Sequence, residues 1–142
     1  MKAFRTLLKL AQRDLETLRR ALAEQIAREA EIADRIAGHE QTIVSEQQLA
    51  QRDYESVRAY GGYAVAAIQV RKALESERVM VNQEIERLRA LIAEAHVEAR
   101  KFERLIELEE QREKAKREKR ENDRLDEFAT MRAAKGSRAV GQ

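Results

Sequence analysis

Two long stretches of strong helix formers flank a single glycine pair, Gly61-Gly62, and this arrangement limits the folds that the chain can adopt. Ala, Leu, Glu, Arg and Gln dominate both stretches, and no proline interrupts them. A glycine pair permits the positive φ values with which a chain reverses its direction. The sequence therefore predicts two helices that fold back on each other at Tyr60-Gly61-Gly62-Tyr63.

Both stretches carry apolar residues at alternating spacings of three and four, which is the heptad pattern of a coiled coil. The first set comprises Phe4, Leu8, Ala11, Leu15, Leu18, Leu22, Ile32, Ile36 and Ile43, with Gln25, Glu29 and His39 as polar members. The second set comprises Leu74, Val81, Ile85, Leu88, Ile92, Ala95, Ala99, Phe102 and Ile106. We expect an all-α fold in which two long helices form an antiparallel coiled-coil hairpin. Residues 1–142 would be one domain, with helices at about 3–58 and 64–134, a turn at 59–63 and a frayed tail at 135–142.

The composition favours such a coiled coil over a globule. Of the 142 residues 38% are charged and only 4% are aromatic, and Trp and Cys are absent. A globule needs bulky core residues, whereas a coiled-coil seam needs two apolar positions in seven. No apolar run approaches the roughly 18 residues of a membrane span, and the start of the chain does not resemble a secretory signal.

The motifs of catalysis are missing from the sequence. It contains no glycine-rich phosphate loop, no His-Glu-x-x-His pair and no nucleophile motif. A narrow coiled coil also offers no concave pocket in which carboxylates could acquire perturbed pKa values. His39 and His96 would lie far apart in the hairpin. We therefore expect no enzymatic activity, no metal site and no cofactor.

The predicted register leaves part of the first helix without an apolar mate. A turn centred between Gly61 and Gly62 places position i opposite about position 123 − i, so that Phe4 to Leu15 face the highly charged stretch from Leu108 to Lys119. The apolar face of Phe4, Leu7, Leu8 and Leu15 would then be open to a partner protein. A frayed terminus with scattered exposed leucines is the alternative.

Two other features of the sequence each allow two interpretations. Tyr54, Tyr60 and Tyr63 are all the tyrosines of the chain; they are either aromatic contacts for a partner or pack on each other to close the turn. The run from Arg112 to Arg124 has seven basic and four acidic residues. Because acidic residues interrupt it and no aromatics accompany it, a solvated helix face is favoured over nucleic-acid binding.

Two stretches at the ends of the chain have a characteristic sequence: the opening stretch from Phe4 to Ala11, and the stretch from Asn122 to Ala129 with Met131 and Arg132. Both resemble the FliJ family of flagellar type III export proteins. The resemblance implies an antiparallel coiled coil similar to the stalk of rotary ATPases. It implies three kinds of partner: the hexameric export ATPase (FliI-like), the export gate protein (FlhA-like) and export chaperones.

The resemblance also assigns roles to the two ends of the hairpin. The end that carries both termini would bind the ATPase through Leu125, Asp126, Glu127 and Phe128, to which the open apolar face of the first helix adds Phe4, Leu7 and Leu8. The turn end would bind the gate through Tyr54, Tyr60 and Tyr63, although its connection is shorter than that of some relatives. The chain would then be a cytoplasmic component associated peripherally with the export apparatus of the inner membrane. The alternative is a structural coiled-coil interaction protein of another complex.

Overall fold

The computed structural model describes the backbone of residues 2–52 and 54–140, and the side chains of residues 2–52 and 57–137. Two α-helices account for almost all of this backbone: α1 is Lys2–Ala50 and α2 is Tyr54–Val140. The described residues contain no β-strand. The predicted all-α fold of two long helices is therefore confirmed.

The turn between the helices lies earlier than predicted. Gln51 and Arg52 form it, and the backbone N–H of Arg52 donates a hydrogen bond of 3.1 Å to the carbonyl of Leu49. The predicted turn at 59–63 is wrong, because Gly61 and Gly62 lie inside α2 and neither has a positive φ. A helix tolerates each glycine at a cost of about 1 kcal/mol relative to alanine. Asp53 lies outside the described backbone, but Asp is a favoured residue type directly before a helix, and this was the overlooked sequence signal.

The contacts within the chain divide it into two units, Gln12–His96 and Met1–Ala11 with Val97–Gln142. In the first unit the helices run antiparallel, as the ion pairs of Glu29 with Arg78 and Glu40 with Arg71 show. Glu29 thus faces Arg78 and not Glu94, which the predicted register places opposite it. The register differs because the chain turns at residues 51 and 52 rather than at Gly61-Gly62.

The core of the unit Gln12–His96 is a narrow apolar seam. Ile32 is only 1% exposed and packs with Val81 and Ile85, while Leu22 and Ile36 are partly buried against them. All five are heptad positions predicted from the sequence. Fully burying an aliphatic side chain contributes roughly 1.5–3 kcal/mol to stability, so this cluster is a main source of the hairpin's stability.

Two polar members of the seam, Glu29 and His39, find partners across the hairpin. A ring nitrogen of His39 donates to the carbonyl oxygen of Ala67 at 2.9 Å. Glu29, at another polar seam position, pairs with Arg78 at 2.8 Å. Arg19 donates to His96 at 3.0 Å. Both histidines therefore make cross-helix contacts in the antiparallel hairpin.

In the second unit α1 begins beside the middle of α2, and α2 continues without it. Arg5 pairs with Glu110 at 3.3 Å, and Ala11 and Ala99 are buried. From residue 111 to residue 137 every side chain of α2 is exposed; we call this stretch the exposed segment. The predicted end of the helix at Gly136 and Ser137 is wrong, since α2 continues to Val140. Residues 141 and 142 of the predicted tail lie outside the described residues.

Candidate partner-binding surfaces

The N-terminal candidate Phe4 has apolar neighbours in α2. It lines a cavity of about 350 Å³ with Leu105 and Leu108, and the other lining residues are Glu109, Arg112, Glu113 and Lys116. We call this the Phe4 cavity. The expectation that Phe4 to Leu15 face almost only charged residues is wrong, because the earlier turn brings α2 residues near 105 to the start of α1. Leu15 is itself buried.

The neighbouring candidates Leu7 and Leu8 differ in their exposure. Leu8 is half-buried, whereas Leu7 is 40% exposed. Leu8 belongs to the heptad seam and Leu7 does not, so the seam accounts for the difference. Of the three N-terminal candidates, Leu7 is the one with an exposed side chain, whereas Phe4 and Leu8 are half-buried.

The C-terminal candidates Leu125 and Phe128 lie in the exposed segment, with exposures of 60% and 63%. Met131 continues their spacing of three residues and is 65% exposed. Residues three apart are neighbours on a helix surface, so these three form one apolar strip. Met131 was absent from the predicted site, although its spacing in the sequence indicates it.

The acidic candidates Asp126 and Glu127 flank the apolar strip. Both line a shallow depression of the helix surface together with Asp123, Thr130 and Met131. The hydroxyl of Thr130 donates a hydrogen bond of 2.8 Å to the backbone carbonyl of Asp126. This bond does not involve the side-chain carboxylate of Asp126. A partner that covers the strip therefore also meets two carboxylates.

The structure does not bring the N-terminal and C-terminal candidates together. The lining of the Phe4 cavity reaches Lys116, and Leu125 lies nine residues further along α2. At 1.5 Å per residue this is about 13 Å of helix. The Phe4 cavity and the apolar strip are therefore two separate surfaces along α2, and a partner must be large enough to span this distance to contact both.

Tyr60 and Tyr63 lie within α2 and contact each other. Their ring centroids are 6.1 Å apart, the rings are inclined at 37°, and both side chains are half-buried. The side chain of Tyr54 lies outside the described residues. Of the two interpretations of the tyrosines, mutual packing is therefore found for Tyr60 and Tyr63, although not in a turn; contact with a partner stays a prediction.

An exposed apolar surface beside the tyrosines was missed in the sequence. No charged residue occurs from Ala59 to Val70, although 38% of the whole chain is charged. Val65 and Ile68 in this uncharged segment, and Val57 just before it, are all more than half exposed. The length of the uncharged run is the signal that could have indicated this surface.

The perturbed pKa values belong to ion pairs on the hairpin surface. Hydrogen bonds from Arg87 lower the pKa of Glu84, and Glu84 in turn raises the pKa of Arg87. Hydrogen bonds to Glu75 and Glu40 raise the pKa of Arg71. Each shift favours the charged form and marks a stabilised ion pair, not a group prepared for proton transfer. Among the described residues no group of His, Cys, Asp and Glu is arranged to hold a metal ion.

Neither helix contains, within its described residues, a stretch that is long and apolar enough to cross a membrane.

The similarity to a known family covers almost the whole chain. A family model described as Flagellar FliJ protein matches residues 1–138. The chain belongs to the FliJ family. FliJ proteins are associated with flagellar export, and the family is one of structural or adaptor proteins. Searches of curated proteins and of solved structures found no match.

The FliJ match includes both stretches that carry the resemblance, from Phe4 to Ala11 and from Asn122 to Ala129. The coiled coil of the FliJ family also agrees with the two antiparallel helices found here. The resemblance to the FliJ family that the two ends of the sequence indicated is therefore confirmed.

Proposed function

We propose that this FliJ protein is a stalk-like adaptor that binds the hexameric export ATPase and links it to the export gate and to export chaperones. The apolar strip on the exposed segment carries the proposal. It is an accessible row of large apolar side chains on a stretch of helix whose described side chains are all exposed. In this role the protein would join the membrane-embedded export apparatus as a peripheral component.

The exposure of the apolar strip supports a role in ATPase binding. Leu125, Phe128 and Met131 are each at least 60% exposed, and all described residues around them are exposed as well. Fully burying a side chain of this size contributes roughly 1.5–3 kcal/mol. A partner that encloses the strip therefore gains binding free energy at three adjacent positions, while Asp126 and Glu127 supply charges at its rim.

The N-terminal candidates support the same role in a smaller measure. Leu7 offers an exposed apolar side chain, and Phe4 offers one wall of an open cavity. Leu8 is half-buried and acts by holding α1 in place. We propose that the apolar strip is the main contact with the ATPase, and that Leu7 and the Phe4 cavity form a smaller additional contact.

The uncharged segment of α2 is the surface that we propose for the export gate. Tyr60 and Tyr63 supply aromatic side chains, a residue type enriched where binding energy concentrates. Val65 and Ile68 extend the apolar area beside them. Tyr54 belongs to this proposal through the sequence alone. The export chaperones are proposed partners without an assigned surface.

ATP turnover by the purified export ATPase tests the main proposal. Adding the full-length protein in stoichiometric excess is expected to change the turnover. The variant Leu125→Asp with Phe128→Asp is expected to lose this effect, because two charges replace the apolar strip. The matched control Val65→Asp with Ile68→Asp, which places the same charges on exposed positions of the uncharged segment, is expected to retain it.

Binding of the purified gate protein gives the reverse test. Val65→Asp with Ile68→Asp is expected to weaken binding, and Leu125→Asp with Phe128→Asp is expected to leave it unchanged. Circular dichroism verifies that each variant stays helical. The proposal fails if the wild-type protein leaves ATP turnover unchanged, or if either variant removes both interactions while the helices stay folded.

A further inference from the structure

The exposed segment of α2 carries a concentrated positive charge. Seven basic and four acidic residues lie between Arg112 and Arg124, an excess larger than the net charge of +2 on the whole chain. Within this stretch, from Lys114 to Arg120, five basic residues stand against one acidic residue. The remainder of the chain is therefore close to neutral, and the positive charge is local to about two turns of helix.

Four of these basic residues form a row along one side of α2. Arg112, Lys116, Arg120 and Arg124 follow one another at spacings of four, and all are exposed. Residues four apart are neighbours on a helix surface, so the row extends over about 18 Å. We call it the basic row.

The basic row has no acidic partner within the described part of the chain. The ion pairs found there all lie between Arg5 and Glu110. In the hairpin, arginines such as Arg78 and Arg71 pair with carboxylates of the other helix. The row has the same kind of side chain on α2, but the first turn of α1, which lies beside Arg112 and Lys116, contains no acidic residue.

The basic row begins in the Phe4 cavity. Arg112 and Lys116 line this cavity together with Phe4 from the first turn of α1. The row therefore continues the side of α2 on which α1 packs. A helix placed on the row would follow α1 along α2 and would bring one of its ends to the apolar wall formed by Phe4, Leu105 and Leu108. The first turn of α1 contains no acidic residue, so the positive end of its dipole also favours an acidic neighbour.

We propose that the basic row and the Phe4 cavity together bind an acidic amphipathic helix of a partner protein. Carboxylates at spacings of four on that helix pair with the row, and an apolar residue at its end enters the cavity. Arginine is suited to this task because its guanidinium group binds a carboxylate through two parallel hydrogen bonds. The proposal does not require that the helix belong to the export ATPase. The row ends at Arg124, one helical turn before Phe128 of the apolar strip.

The same observations disfavour a nucleic acid and a membrane as the occupant. No aromatic residue lies between Arg112 and Arg124 on which a base could stack, and an apolar cavity wall offers nothing to a phosphate backbone. Ala115 is the only apolar residue between Arg112 and Arg124, so this part of α2 has no apolar face to insert into a bilayer. An acidic helix with an apolar end uses both the charge and the cavity.

Fluorescence anisotropy with the full-length protein tests the proposal. The probe is a synthetic helical peptide of about fourteen residues, with Glu at every fourth position and Leu at one end, in about 150 mM salt. The variant Lys116→Glu with Arg120→Glu is expected to bind it about tenfold more weakly, because two pairs become repulsive. The control Arg100→Glu with Lys114→Glu makes the same change in net charge on the other side of α2 and is expected to bind as the wild type does.

Further arms separate the possible occupants. A peptide with Gln in place of the terminal Leu is expected to bind more weakly than the original, and equal binding would remove the cavity from the proposal. If the row variant and the control lost affinity for the peptide equally, the loss would be explained by net charge alone, and the proposal would be overturned. Absence of peptide binding would overturn it as well, as would tighter binding of a single-stranded oligonucleotide or of anionic vesicles. Lys116→Gln with Arg120→Gln, together with circular dichroism, verifies that a loss does not arise from unfolding.

Discussion

A guanidinium nitrogen of Arg78 lies 2.8 Å from a carboxylate oxygen of Glu29, and this pair marks the register of the hairpin. Arg28 and Glu77, the residues directly before Glu29 and Arg78 in the sequence, form a second ion pair across the hairpin. Because two heptad seams can pair in several registers, these cross-helix contacts and the position of the turn decide which register forms.

Chemical cross-linking tests this register, since the chain contains no cysteine of its own. Cysteines at positions 29 and 78 are expected to cross-link rapidly within one molecule, because these residues lie opposite each other. Cysteines at positions 29 and 94 serve as the matched control and are expected to cross-link poorly. Preferred linking of 29 to 94 would restore a turn at Gly61-Gly62 and contradict the structure.

Replacing Gly61 or Gly62 with alanine is expected to stabilise the protein. Both lie inside α2 without positive φ, and an added Cβ meets no heavy atom within 4 Å. Alanine favours the helix over glycine by about 0.5–1 kcal/mol per site. Denaturant unfolding measures the gain, and Gly38→Ala in α1, which has equal space, is expected to behave alike. A loss of stability at Gly61 or Gly62 would show that the glycines adopt a turn conformation.

Shortening Ile32 to alanine is expected to lower the free energy of unfolding by about 2–5 kcal/mol, because its removal leaves a cavity beside Val81 and Ile85. Ile26 on the same helix is 46% exposed, so Ile26→Ala is expected to change stability much less. Urea unfolding of the two variants measures the contrast. Similar losses at the two positions would mean that the seam is not centred on Ile32.

Replacing Leu8 with aspartate is expected to destabilise the packing of α1, whereas Leu7→Asp is expected to leave it largely intact. Leu8 is half-buried and Leu7 is more exposed, and a carboxylate placed in an apolar contact loses hydration. The melting temperature of each variant gives the comparison. Equal melting temperatures would indicate that both side chains face solvent, as the sequence-based register implied.

Acid is expected to weaken the ion pair of Glu84 with Arg87. The hydrogen bond from Arg87 holds the pKa of Glu84 below the ordinary glutamate value of 4.5. A lowered pKa means that the pair's contribution is fully present above that value and is lost as the pH falls through the lowered pKa. The variant Glu84→Gln is therefore expected to lose less stability than the wild type between about pH 5 and pH 2.

Urea midpoints across that pH range provide the measurement. The matched control is the same substitution in an Arg87→Gln background, where the hydrogen bond is already absent and Glu84→Gln is expected to have no further effect on the acid limb. An equal effect of Glu84→Gln with and without Arg87 would assign the acid dependence to another group.

The helices and their core positions could be predicted from the sequence, but the turn could not. Heptad spacing is a local pattern, and it identified Ile32, Val81 and Ile85 as core residues. The position of the turn depends on a small difference in free energy between reversing the chain near residue 51 and reversing it at Gly61-Gly62. At Gly61-Gly62 the helical preference of the surrounding alanines exceeds the cost of the glycines, and the chain reverses at Gln51 and Arg52, before Asp53.

The error in the turn position also changed the predicted site. Because exposure depends on which residues lie opposite, Phe4 was predicted to face charges and instead lies beside Leu105 and Leu108. Leu125 and Phe128 are exposed in the structure, and their exposure does not depend on the register. Their proposed role as partner contacts came from the resemblance to the FliJ family and not from spacing alone.

Because α2 is longer than α1, the local stability of the exposed segment differs from that of the packed hairpin. Its helical turns continue a helix that is already formed in the hairpin, so they need no new nucleation step. Every described side chain from residue 111 to residue 137 is nevertheless exposed. Hydrogen exchange there is governed by opening from the C-terminal end, and exchange is expected to become faster from Gln111 towards Ser137. A partner seated on this helix would slow that exchange without changing exchange around Ile32, so each occupied surface can be located by the amides that it protects.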